Sequence, residues 1–181
     1  MFKSAKILQL AFFIFSLFLL SSCGHVNDDP SELTYSGSTI RVQYSKGPVV
    51  GATALLKDGI GTTIAGPVTT DDDGKATFDD ITYLGLVYTV FSGGTYVDET
   101  TGMIVVLDSS FQMRSGVIDN TGAGTLELTA TPLTEIGFKR AISNNNGAIV
   151  LNTVNDEIDR VANDFGLDGI DLTTVIPSKI D

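Results

Sequence analysis

Ile40, Val42 and Tyr44 alternate with Thr39, Arg41 and Gln43, the two-residue period of a strand with one buried face. Short runs of this kind recur as far as residue 129. Turn chemistry divides them: Lys46-Gly47-Pro48, then Gly59 and Gly61, then Asp71-Asp72-Asp73-Gly74, then Ser92-Gly93-Gly94. The pattern predicts strands over 49–56, 62–70, 75–78, 86–91, 95–97, 103–107, 111–118 and 125–129. Gly66-Pro67 assigns the 62–70 strand to a sheet edge or a bulge, because proline cannot donate to a ladder. Strands this short and this evenly spaced predict a β-sandwich over residues 38–129.

After Thr129 the period changes. Thr131 can cap a helix whose first residue is Pro132, with Leu133, Ile136 and either Phe138 or Ala141 facing inward. Asn144-Asn145-Asn146-Gly147 ends it. Leu151, Val154, Ile158, Val161 and Phe165 then recur at steps of three and four, one apolar stripe with Asp156, Glu157, Asp159 and Arg160 off it. Gly166 is the expected C-cap. Two short helices are marginal alone, so the stripe is expected to bury against the rest of the chain. The fold class is thus mainly β, a sandwich followed by a small helical segment over 130–181.

The N-terminus follows a different rule. Lys3 and Lys6 precede an apolar stretch over 7–20, interrupted only by Gln9 and Ser16. Its length suits a signal-peptide core and falls short of the roughly 20 residues of a spanning helix. Leu20-Ser21-Ser22-Cys23 closes it, and Cys23 is the only cysteine. This run resembles the lipobox of bacterial lipoproteins. The resemblance implies that residues 1–22 are a signal peptide cut before Cys23. It implies that Cys23 carries the lipid, palmitate among its acyl chains, and that the mature protein begins there. Several acyl chains anchor stably where one binds only marginally. Residues 23–37 then form a lipidated tether, polar and with a proline in Asn27-Asp28-Asp29-Pro30-Ser31-Glu32. Gly24 stands where an aspartate often signals inner-membrane retention in such proteins, so the resemblance favours the outer membrane. The implied partners are the membrane, through the lipidated N-terminus, and a protein of the envelope.

Charge narrows the classes. The leader carries two lysines and no acidic residue, so removing it takes the formal charge from −11 to −13. A body this acidic repels nucleic acid and anionic lipid, and no nucleic-acid partner is expected.

Pro48-Val49-Val50-Gly51-Ala52-Thr53, Thr69 to Phe78 with its Asp71-Asp72-Asp73-Gly74 turn, and Tyr88-Thr89-Val90 resemble the carboxypeptidase regulatory-like family. The resemblance covers residues 38–92 and implies an Ig-like, transthyretin-like sandwich. It says little of function, because such modules serve as stalks, spacers and binding domains. Residues 93–102 and 131–136 resemble segments of bacterial exported proteins in which a helical region follows the sandwich and the chain often continues.

No catalytic constellation stands out. His25, the only histidine, lies on the tether two residues from Cys23, where nothing would fix its geometry. The sequence has no Ser-His-Asp pattern, zinc-ligand spacing or phosphate-binding glycine loop, and no cofactor is expected. Asp71, Asp72, Asp73, Asp79 and Asp80 are weak calcium candidates. Calcium takes six to eight oxygens and this run lacks the remaining ligands of a calcium loop, so a solvated turn is the favoured reading. Sugar platforms rely on exposed aromatics. There is no tryptophan, and Tyr83, Tyr88 and Tyr96 suit core or corner positions equally well. Lys57 and Lys75 lie beside turns, unsuited to a buried isopeptide. The expectation is a lipid-anchored, non-enzymatic structural or protein-interaction module. The alternative is a carbohydrate- or peptide-binding surface domain.

Overall fold

The computed structural model describes residues 36–175. The expectations for the signal peptide, for Cys23, His25 and Gly24, and for most of the tether lie outside those residues.

Among the described residues, ten strands precede two helices: β1 (Ser38–Tyr44), β2 (Thr53–Asp58), β3 (Thr63–Thr69), β4 (Lys75–Ile81), β5 (Gly85–Ser92), β6 (Thr95–Val97), β7 (Ile104–Val106), β8 (Gln112–Arg114), β9 (Ile118–Asn120), β10 (Thr125–Ala130), α1 (Pro132–Asn144) and α2 (Leu151–Asp164). One sheet runs β10-β1-β4 and the other β3-β2-β5-β8, with β9 also pairing β5. The hairpin β6-β7 stands apart as a two-stranded sheet. β1 pairs antiparallel with β4 and parallel with β10, so the first and last strands of the sandwich lie side by side. A parallel pair needs a crossover. Here the whole sandwich supplies it.

The alternation of β1 does what its period predicts. Ile40, Val42 and Tyr44 enter one core with Ala76, Phe78, Leu128 and Ala130 of the same sheet. Facing them are Ala54, Leu56, Val87, Phe91 and Met113 of the other sheet. Tyr44 stacks on Phe91 across that core, their ring centroids 4.8 Å apart. β3 is the edge of its sheet and its register with β2 shifts around Gly66-Pro67, the edge and bulge that the proline predicts.

β5 explains the architecture. Its side chains are buried from Val87 to Phe91 without alternation. Val87 and Phe91 face the other sheet, whereas Tyr88 and Val90 belong to a second core with Val117, Phe138, Ala141, Val154, Ile158, Ala162 and Leu172. A strand covered on both faces reads as a continuous apolar run. The molecule is therefore layered as sheet, sheet and helices.

α1 begins where capping predicts. Thr131 Oγ1 accepts from the Thr134 backbone N–H at 3.1 Å, and the Thr131 N–H donates to Thr134 Oγ1 at 2.8 Å. Two inward expectations fail. Ile136 is exposed, because the face turned to the protein carries Thr134, Glu135, Gly137, Phe138 and Ala141. Phe165 is 60 % exposed. Its stripe position falls on the cap, just past the last helical residue. Gly166 N–H donates to Asn163 O and Leu167 N–H to Ala162 O, a reversal that turns Leu167 toward the second core in its place. Val154, Ile158 and Val161 are fully buried within the chain, as the stripe predicts.

Gly137 lies in the interior of α1, where glycine costs about 1 kcal/mol against alanine. A Cβ there would sit 2.6 Å from Ile158 Cγ1 and 2.7 Å from Ile158 Cα, so only glycine lets the two helices close.

Two strand expectations change. The run 49–56 starts as a strand only at Thr53, because Gly51 takes φ +72° and turns the chain. The run 111–118 divides into β8 and β9. Between them Asn155 of α2 clamps Val117, accepting from its N–H at 3.2 Å and donating to its carbonyl at 3.0 Å.

Candidate functional site

Asp71-Asp72-Asp73-Gly74 crosses from one sheet to the other, linking β3 to β4. Asp71 Oδ1 accepts from the N–H groups of Asp73 (3.0 Å) and Lys75 (2.8 Å). Gly74 takes φ +75°, and a Cβ there would lie 2.7 Å from Tyr44 O, so the corner is built by aspartate and glycine together. Asp73 reaches Lys75 Nζ at 3.5 Å, and Asp79 accepts from Thr39 Oγ1 at 3.1 Å on the β4 strand. Asp80 has φ +55°, where register slips between β1 and β4. Among the described residues, no group of three or more His, Cys, Asp or Glu is arranged to hold a metal ion. Lys57 Nζ donates to the Gly61 carbonyl and Thr63 Oγ1 across its turn. Tyr88 and Tyr96 are buried, and Tyr83 is partly exposed.

One buried carboxylate, Glu135, sits at the seam between β8 and α1. It meets Arg114 twice, through the backbone N–H at 2.9 Å and the guanidinium at 2.6 Å. Lys139 Nζ approaches the same carboxylate at 3.2 Å. Thr134 Oγ1 donates to the Arg114 carbonyl at 2.7 Å. Burial, then the Glu135 charge, pushes the Tyr44 phenol up to about 12. The seam fastens a helix to a sheet, and each charge in it has an opposite partner.

The open feature is the β6-β7 hairpin. Val50 and Thr95 exchange backbone hydrogen bonds at 2.8 Å in both directions and fix its base. Pairing of Thr95 with Val106, Tyr96 with Val105 and Val97 with Ile104 sorts its side chains. Tyr96 and Val105 pack on the first core. Thr95, Val97, Ile104 and Val106 share the opposite face, as directly opposed residues do. Val97 is 54 %, Ile104 71 % and Val106 76 % exposed.

At the hairpin tip Asp98 Oδ1 accepts from the N–H groups of Thr100 and Thr101 and from Thr101 Oγ1, at 2.9–3.1 Å. The Thr101 bonds hold this carboxyl below its ordinary value. Between the hairpin and the 46–50 turn lies a groove of about 650 Å³. Pro48, Val50, Val97 and Ile104 supply apolar walls, and Asp72, Asp98 and Glu99 supply carboxylates. Lys46 Nζ stands 4.8 Å over the Tyr96 ring beside it. The arrangement offers apolar walls and carboxylates to a bound group.

Sequence reasoning places strands at 95–97 and 103–107 but does not single out this groove. The available signal is that Ile104-Val105-Val106 is apolar at consecutive positions. Both faces of so short a strand are then apolar, and the core can cover only one.

Compared with models of protein families the chain gives no match, and compared with curated proteins it gives none.

Proposed function

We propose that this chain is a lipid-anchored lipoprotein of the bacterial cell envelope, acylated at Cys23. Its sandwich works as a non-enzymatic structural or protein-interaction module. The observation that carries the reading is Leu20-Ser21-Ser22-Cys23 behind a short apolar stretch with basic flanks. The outer membrane is the favoured site because Gly24 follows the cysteine. The carboxypeptidase regulatory-like family is the proposed home of the sandwich. In its support, the residues that resemble that family fall on consecutive parts of one layered body: the turn before β2, the β3–β4 corner and the centre of β5. A structural role is supported by Arg114 and Glu135, whose charges are spent on holding α1 to β8.

The alternative, a ligand-binding surface domain, is favoured in its peptide form by the groove beside the β6-β7 hairpin. The carbohydrate form has less support, since Tyr88 and Tyr96 are buried and offer no stacking platform.

The test of the anchor is direct. The full chain, expressed in a Gram-negative host, should fractionate with membranes, and mass spectrometry should find an acylated Cys23 at its N-terminus. Cys23→Ser should release the protein or stall its processing. Envelope-purified protein with an unmodified Cys23 would reject the reading.

A further inference from the structure

We infer that the groove between the β6-β7 hairpin and the 46–50 turn docks an extended segment of a partner protein in which apolar and basic residues alternate. The inference rests on the interaction-module reading and names its surface and the chemistry of its partner.

Three observations meet there. First, Val97 and Ile104 are paired on the exposed face of the hairpin and line the groove. An extended chain laid along that face turns every second side chain toward it. Second, the groove holds about 650 Å³ between apolar walls, enough for several side chains. Third, its rim is acidic. Asp72, Asp98 and Glu99 line it, with Lys46 at the side. Asp98 is engaged by its own turn, whereas Asp72 and Glu99 make no hydrogen bond or ion pair among the described residues.

The charge selects the occupant. A second copy of this chain would bring another acidic rim and a formal charge of −11 against the same surface. An anionic lipid surface meets the same repulsion. A sugar would find little aromatic face, since Tyr96, which lines the groove, is buried and has Lys46 over its ring. A segment with lysine or arginine beside valine or leucine satisfies both the walls and the rim.

The test uses purified full-length protein in non-ionic detergent. Fluorescein-labelled Lys-Val-Lys-Val-Lys-Val-Lys is titrated by anisotropy beside Lys-Ser-Lys-Ser-Lys-Ser-Lys and Glu-Val-Glu-Val-Glu-Val-Glu. The first peptide should bind about tenfold or more tighter than either control, because each control lacks one half of the required chemistry. Val97→Thr with Ile104→Thr, which keeps strand-forming residues, should weaken it about tenfold. Asp72→Asn with Glu99→Gln should weaken it several-fold and flatten its salt dependence. Ile136→Thr, an exposed apolar residue on α1, should leave binding unchanged.

Equal binding of the serine peptide would overturn the proposal in favour of diffuse charge attraction. Binding insensitive to the Val97 and Ile104 changes would move the site elsewhere and overturn it. Sedimentation showing copies that associate through the hairpin would make a second copy the occupant and also overturn it. The titration does not depend on acylation, and membrane fractionation does not depend on the groove. The failure of one reading is therefore distinguishable from the failure of the other.

Discussion

Two apolar faces of this protein have opposite fates. Along α2, Val154 and Ile158 are fully buried against α1 and the outer face of β5. On the β6-β7 hairpin, Val97, Ile104 and Val106 are more than half exposed. Each face follows a regular period, and each belongs to an element too short to be stable alone. The difference is what the neighbouring chain supplies. α2 finds a helix with a glycine at the contact and a strand apolar on both sides. The hairpin uses Tyr96 and Val105 to dock and leaves its second face without cover among the described residues. Isolated apolar residues on a surface are ordinary, whereas a contiguous set beside a groove is the kind of surface the proposed partner segment would use.

The comparison breaks most readily at the covered face. Ile158→Ala should cost about 2–5 kcal/mol, because a fully buried branched side chain leaves a cavity between helix and helix. Melting should fall by roughly 2–4 °C for each kcal/mol in a chain of this size. A melt unchanged within error would mean that α2 does not contribute to the folded core.

Gly137→Ala should come next, at about 1–3 kcal/mol, the usual cost of forcing a methyl into a filled contact. In an open helix the same change would stabilise by about 1 kcal/mol. The sign alone therefore decides whether α1 and α2 touch as closely as the 2.6 Å approach requires.

How much of this was legible in the sequence depended on whether one element settled the matter or two had to meet. β1 alternates because one side faces the other sheet, so Ile40, Val42 and Tyr44 could be assigned from their own strand. Thr131 and Pro132 cap α1 through contacts within four residues. Ile136 and Phe165 were misplaced because helical period fixes only relative angles. The orientation of α1 is set by Thr134 and Glu135 bonding to Arg114, some twenty residues away, and Phe165 lies where the helix has already ended. Gly137 reads as a helix defect until Ile158 is placed opposite it. The aspartates at 71–73 were legible as a turn, and the Asp71 hydrogen bonds show how that turn is made. The groove was the least legible feature. Pro48, Asp72 and Ile104 lie far apart in the chain, and nothing in any one segment reveals the space between them.

A third prediction asks what a buried hydroxyl contributes to the first core. The Tyr44 hydroxyl is buried without a hydrogen-bond partner among the described residues. Tyr44→Phe keeps the ring stacked on Phe91 and removes only the oxygen. It should be neutral, or stabilising by up to about 1 kcal/mol, since an unsatisfied buried hydroxyl is a cost. The raised phenol makes a second readout. In the folded protein it stays protonated to about 12, against an ordinary value of 10. The unfolded chain therefore ionises first, and the contribution of Tyr44 is intact below pH 10 and lost as pH rises toward 12. Tyr44→Phe should flatten that alkaline decline. A steep decline identical in both proteins would assign it to other groups.

The smallest effects belong to the uncovered face. Ile104→Thr should change stability by no more than about 0.5 kcal/mol, the range of surface substitutions away from special features. Threonine keeps the branching that suits a strand, and Ile104 is 71 % exposed, so little apolar area is lost from the folded state. Phe165→Ala should be equally mild, because its ring lies outside the second core whereas Leu167 packs against it. Leu167→Ala should then cost more than Phe165→Ala, the reverse of what the helical stripe alone suggests. Thermal melts of the three variants beside Ile158→Ala place the two faces on one scale. If Ile104→Thr destabilised as strongly as Ile158→Ala, the hairpin face would be part of the folding core. Its exposure would then have no bearing on partners.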